Sequence, residues 1–103
     1  MALTPKTRQH LKALGHRLNP VVMVAGKGLA DTVLEEVRRG LNDHELIKVK
    51  FAVGDRDTKR ELIQQMCTVC DCELVQQIGN IALVYKENPK AKPNLSNVRG
   101  WGD

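Results

Sequence analysis

At Ala25-Gly26-Lys27-Gly28 the chain leaves an apolar run, Val21–Ala25, and enters a helical pattern. A helix N-terminus offers unpaired N–H groups and the positive end of the helix dipole, which together suit an anion. Two glycines let a phosphate approach the backbone closely and permit positive φ. Lys27, between them, adds a point charge at the loop tip. The chemistry this favours is contact with a phosphate backbone. Nucleotide hydrolysis is excluded, because a P-loop needs Gly-x-x-x-x-Gly-Lys-Ser/Thr. Here Val21 stands at the first glycine position and Gly28 replaces the magnesium-binding hydroxyl. A dinucleotide fingerprint fails as well, since no third glycine follows at the required spacing. Alone, Gly-Lys-Gly is often only a turn; its setting in a basic, acid-free stretch raises the functional reading.

The other reactive groups form no comparable arrangement. Cys67, Cys70 and Cys72 are the only cysteines, an odd number confined to six positions. A structural zinc site wants four ligands, usually from two separated pairs, and His10, His16 and His44 are scattered. Cys67 and Cys70 continue the apolar pattern of Leu62, Ile63 and Met66, so they read as small buried hydrophobes. Asp55, Asp57 and Glu61 are the one acidic cluster and read as helix capping, not as the clustered carboxylates of a metal-dependent nuclease. No cofactor, metal or small-molecule substrate is expected, and no catalytic residue.

Charge is distributed unevenly. Sixteen Lys and Arg oppose twelve Asp and Glu, for a net +4. Residues 1–30 hold Lys6, Arg8, Lys12, Arg17 and Lys27 and no acid, leaving −1 for the rest. A one-ended basic field attracts polyanions. Arg8 and Lys12 share a helix face, and with Lys6 they could extend a phosphate track; a merely solvated face fits them equally well. Lys48 and Lys50, on the outer side of a strand, read more readily as solubilising residues.

These residues need a scaffold to position them. The chain has 103 residues, 42% of them apolar, with only Phe51, Tyr85 and Trp101 aromatic. That suffices for one domain with an aliphatic core. No apolar run reaches the length of a membrane span, and the N-terminus has no signal-peptide core, so a cytoplasmic location is expected.

Thr4-Pro5 opens a first helix, whose stripe is Leu11, Leu14 and Leu18, with Gly15 as an end signal. Asn19-Pro20 forces an extended entry to a strand at Val21–Val24. A second helix spans about Leu29–Leu41 on the repeat Leu29, Val33, Val37, Leu41. A second strand runs over about Glu45–Val53, with Ile47, Val49, Phe51 and Val53 on one face. Asp55 caps a third helix, Arg56–Cys70. Strands at about Glu73–Ile78 and Ile81–Lys86 flank Gly79-Asn80, a hairpin signal. From Glu87 the sequence is aperiodic and rich in Pro, Asn and Lys, and a flexible basic tail over 87–103 is expected. The order αβαβαββ predicts an α/β fold: a compact mixed four-stranded sheet with three helices packed on it.

Three stretches carry a family resemblance: Leu11-Lys12-Ala13-Leu14-Gly15-His16, Pro20–Leu29 through the Gly-Lys-Gly turn, and His44-Glu45-Leu46-Ile47-Lys48-Val49-Lys50. With the Ile78-Gly79-Asn80-Ile81 hairpin, they resemble the CRM domain, the chloroplast RNA splicing and ribosome maturation domain, over roughly residues 3–86. A lone copy of this length is similar to the bacterial YhbY-like members. The resemblance implies a fold akin to the C-terminal domain of translation initiation factor three. It implies RNA binding through a GxxG loop comparable to that of KH domains. For the bacterial type it implies structured RNA as partner, namely ribosomal RNA of the large-subunit precursor, and a role in ribosome assembly. The site carried over is Ala25, Gly26, Lys27 and Gly28, with Lys6, Arg8 and Lys12 beside it. One position departs from the pattern: Ala25 stands where the family has its first Gly, and Ala disfavours positive φ. Two other readings remain open, a ribosome-associated protein-interaction factor without RNA contact and an RNA-binding splicing cofactor. Nothing in the sequence calls for an oligomer, so a monomer is expected.

Overall fold

The computed structural model describes residues 3–26 and 28–98. Its elements are α1 (Pro5–Gly15), β1 (Pro20–Val24), α2 (Asp31–His44), β2 (Leu46–Phe51), α3 (Arg56–Cys70), β3 (Glu73–Ile78) and β4 (Ile81–Tyr85). The expected order αβαβαββ is present. The four strands form one mixed sheet in the order β1-β2-β4-β3. β1 runs parallel to β2, while β2–β4 and β4–β3 are antiparallel. α/β is therefore the fold class, with three helices on a four-stranded mixed sheet.

The helices divide between the two faces of the sheet. On one face, Val22 and Val24 of β1, Ile47, Val49 and Phe51 of β2 and Ala82 and Val84 of β4 pack with Val37 and Leu41 of α2 and Ile63, Met66 and Cys70 of α3. On the other face a smaller core joins Leu11 of α1 to Leu46, Val75 and Leu83. This split follows from the period-2 alternation of each strand. α1 covers only part of its face. It comes close at Gly15, where a Cβ would meet Leu83 Cδ2 at 2.5 Å. Gly15 is thus kept small for contact with the sheet, and the helix ends there.

Local chemistry sets the helix boundaries. Thr4 caps α1, its Oγ1 accepting from Thr7 N at 3.1 Å. Asp55 caps α3, its Oδ1 accepting from Thr58 N at 2.7 Å. The Thr58 hydrogen bonds hold the Asp55 carboxyl below the usual carboxylate range of 3.8. A carboxylate depressed in the folded state lends stability that is fully present above its unfolded value and is lost as pH falls through the folded one. An NMR titration should therefore place Asp55 below the ordinary aspartate value, and Asp55→Asn should flatten the acid limb of the stability profile.

α2 begins two residues later than the sequence pattern suggests and extends to His44. Its start is delayed because Gly28 takes φ +72° and Ala30 serves as the extended N-cap residue. Its end is set by Glu45, which adopts φ +63°. That is an uncommon conformation for a residue with a Cβ, and it turns the chain directly into β2.

The expected flexible tail differs from the structure over residues 87–98. This segment is fastened to the corner between α2 and β2. The buried Glu45 carboxylate accepts from Asn88 N at 2.8 Å and from Ser96 Oγ at 2.9 Å. Asn97 Nδ2 donates to Leu46 O at 2.7 Å, and Asn97 N donates to His44 O at 2.8 Å. His44 Nδ1 lies 2.6 Å from Leu95 O. Ala91 and Ser96 are buried. Polar side chains do this pinning, which is why an aperiodic polar composition read as unstructured. The end of the expected tail, residues 99–103, lies outside the described residues.

Candidate nucleic-acid interface

The Gly-Lys-Gly turn leaves β1 at the fully buried Val24. Gly28 N donates to Ala25 O at 2.8 Å, closing a tight turn. Ala30 N then donates to Gly28 O at 3.1 Å, and Leu34 N to Ala30 O at 3.0 Å. Gly28 is the residue of this turn that needs glycine for its backbone, at φ +72°. Gly26 does not take positive φ, and a Cβ there would meet nothing within 4 Å. The second glycine therefore shapes the loop, while the first leaves its outer surface bare. Ala25 keeps an ordinary backbone, so the departure from Gly at this position is accommodated without positive φ. Lys27 lies outside the described residues.

α2 carries no side-chain cap at its start. Its first turn thus offers backbone N–H groups with no cap residue competing for them. Asp31 also sits in that turn and offsets part of the dipole's pull on an anion. Three segments meet at this end of the sheet: the 25–28 turn, the start of α3 and the Gly79-Asn80 hairpin. Ala52 N donates to Val24 O at 2.8 Å, Phe51 N to Asn80 O at 2.7 Å, and Lys59 Nζ to Asn80 Oδ1.

The three basic residues of α1 fall in different places. Lys6 is exposed, on the turn between Thr4 and Thr7, which border Tyr85 and Lys86 at the far end of the sheet. Arg8 is committed to the fold: its Nη1 donates to Leu74 O at 2.6 Å and to Val75 O at 3.0 Å. Those carbonyls sit where the β3–β4 register shifts between Leu74 and Gln76. The shift is a β-bulge, and a bulge leaves backbone groups outside the regular ladder. Arg8 supplies their donor, so the expected Lys6–Arg8–Lys12 phosphate track does not form as one surface. Lys12 lies half-buried at the C-terminal end of α1. There it lines a groove of about 130 Å³ with His16, Lys48, Gln76, Ile78 and Ile81. The structure brings Lys12 and Lys48 together at the groove. Sequence reasoning took Lys48 as solubilising and passed over Met23 and Ile78; the outward alternation of Met23 between Val22 and Val24 was the available signal.

The cysteines show no arrangement for chemistry at this interface. All three are free; Cys70 is buried, and Cys67 and Cys72 are half-buried. Burial pushes the Cys70 thiol up. The hydrogen bond between Cys67 and Cys72, aided by burial, pushes Cys72 far up and lowers Cys67. Among the described residues, no group of three or more His, Cys, Asp or Glu is placed to hold a metal ion. No described helix is long and apolar enough to cross a membrane.

Comparison with known proteins bears on the family and the fold. A protein of Pseudomonas aeruginosa named "Probable RNA-binding protein PA4753" is 51% identical over 98 residues, covering 95% of this chain and 94% of its own. A protein of Haemophilus influenzae named "RNA-binding protein" is 46% identical over 93 residues, covering 90% and 94%. The solution structure of SAV1595 from Staphylococcus aureus superposes with a TM-score of 0.77 at 30% identity, covering 88% of this chain and 95% of that one. The family model described as the CRS1 / YhbY (CRM) domain matches residues 3–86, and the chain belongs to that family.

Proposed function

We propose that this protein binds structured RNA through the Gly26-Lys27-Gly28 turn and the uncapped start of α2, and performs no bond chemistry. The names of its relatives, which describe RNA binding, support this reading. The carrying observation is the turn itself. A bare Gly26 and a Gly28 at φ +72° present a closed backbone loop at a helix start, within a stretch of thirty residues that holds five cations and no acid. Contacts of this kind engage phosphates and read RNA by shape. The finer reading is that the RNA is ribosomal RNA of the large-subunit precursor. The protein then acts as a monomer in the cytoplasm, holding an rRNA fold during maturation.

Lys27→Glu tests the loop. The variant should bind structured RNA more weakly at every sequence tried, and the slope of log K against log salt should fall by about one unit. Unchanged affinity and slope would remove the loop from the interface. Sedimentation of a low-salt lysate tests the ribosomal reading. Migration with a particle near the large subunit, lost at raised salt, is expected. A protein that stays at the top of the gradient in both salts is not a ribosome-assembly factor.

A further inference from the structure

At one end of the sheet, the face opposite α2 and α3 has no described helix packed over it. Val22 and Val24 face α2 and α3, so Met23 points to the opposite face. The strand registers then pair Met23 with Lys50, Lys50 with Ile81, and Ile81 with Ile78. These four residues form a single row across all four strands, on the face that α1 shares. α1 stops where Gly15 abuts Leu83, in the neighbouring row, and borders Ile81 and Ile78 only across the groove that Lys12 lines. The two ends of the row are open to solvent, Met23 56% exposed and Ile78 59% exposed; Lys50 is exposed as well and Ile81 is half-buried. The neighbouring row pairs Lys48 with Leu83 and Leu83 with Gln76, and it floors the groove that Lys12 and His16 border.

The chemistry of this surface is specific. Aliphatic side chains form its floor, and Lys12, Lys48 and Lys50 stand among them. Among the described residues, no carboxylate lines the groove. A protein partner with an ordinary mixed surface would leave three cations opposite nothing in particular. A single-stranded nucleic acid matches both features, since its base faces are apolar and its backbone is anionic. A sulfur or methyl group can cover a base face without hydrogen-bond readout, and methionine sulfur makes favourable contacts with aromatic rings. The surface is also continuous with the turn: Gly26 follows Met23 by three residues around the same sheet end. Strands lie about 4.8 Å apart, so the row spans about 14 Å, enough for a short run of unstacked bases.

We propose that this unroofed end of the sheet binds unpaired RNA bases, the Met23-to-Ile78 row covering base faces while Lys12, Lys48 and Lys50 meet the phosphates between them. The inference rests on the RNA-binding reading above and narrows it. The preferred ligand is a folded RNA with a single-stranded flank, in which the Gly-Lys-Gly turn holds the folded part and the sheet holds the flank.

The test compares two RNAs, a blunt-ended hairpin and the same hairpin with a short single-stranded extension. Each is titrated by fluorescence anisotropy against the full chain and against Met23→Ser/Ile78→Ser. Both positions are more than half exposed, and a thermal melt checks that the fold is kept. The wild type should bind the extended RNA about tenfold more tightly than the blunt one, the scale of one stacked base. The double variant should lose that gain and keep the hairpin affinity and its salt slope. Equal binding of the two RNAs by the wild type would overturn the proposal while leaving the loop reading intact. So would a double variant that keeps the gain, as it would if this face served a protein instead. A wild type that binds neither RNA would bring down both readings.

Discussion

Glu45→Ala should lower the stability of the protein by about 2–4 kcal/mol, the largest loss expected from any single polar side chain here. The carboxylate is buried, and it accepts from the backbone of Asn88 and the hydroxyl of Ser96. Removing it takes the shared acceptor away from Asn88 N, half-buried, and Ser96 Oγ, buried, and loss of a buried partner costs about 1–3 kcal/mol per group. The main chain of the same residue is also engaged: its N–H donates to Leu41 O, and its carbonyl accepts from Lys86 N, both at 2.9 Å. Those backbone bonds survive the substitution, so the effect falls on the segment 87–98. Glu45→Gln should cost less, because an amide oxygen can accept from Asn88 N while the amide nitrogen donates to Ser96 Oγ. Denaturant unfolding gives the free energies, and hydrogen exchange at Asn88, Ser96 and Asn97 shows whether the segment lifts away. Retained protection there with unchanged stability would mean that the tail is held without Glu45.

Arg8→Leu should cost about 2–3 kcal/mol and leave the salt dependence of RNA binding unchanged. Arg8 reaches a β-strand 66 residues further along and donates to two bulge carbonyls. Hydrogen bonds from a charged donor contribute about 1.5–3 kcal/mol, and leucine keeps the apolar stem while removing both. A phosphate contact behaves differently, since it alters the salt slope by about one unit and need not affect stability. Measuring both quantities on this variant separates the two roles. A reduced slope with full stability would return Arg8 to the RNA interface.

These two residues mark where the sequence stopped being legible. Periodicity disclosed the element order and the larger core face, because burial writes a repeat of 2 or 3.6 into the chain. Arg56–Cys70 and Glu73–Ile78 are found with the expected bounds. The Gly-Lys-Gly turn was equally legible, since a glycine at φ +72° is a local requirement. Arg8 was not. It falls on the polar stripe of α1, and nothing near it announces a bulge between Leu74 and Gln76. Glu45 read only as the polar first residue of a strand, because its partners Asn88 and Ser96 lie 43 and 51 positions away. Pairings between isolated polar groups leave no periodic trace.

The bulge in β3 has a further consequence for how these molecules meet one another. β3 is an edge strand, and an edge with a regular row of free N–H and C=O groups can template a strand from another molecule. A register shift between Leu74 and Gln76 interrupts that row, and Arg8 occupies two of its carbonyls. The opposite edge, β1, is five residues long and begins with Pro20, which has no N–H to offer. Each edge is thus spoiled for pairing by a different device, so a domain with an open sheet resists growing into a longer one.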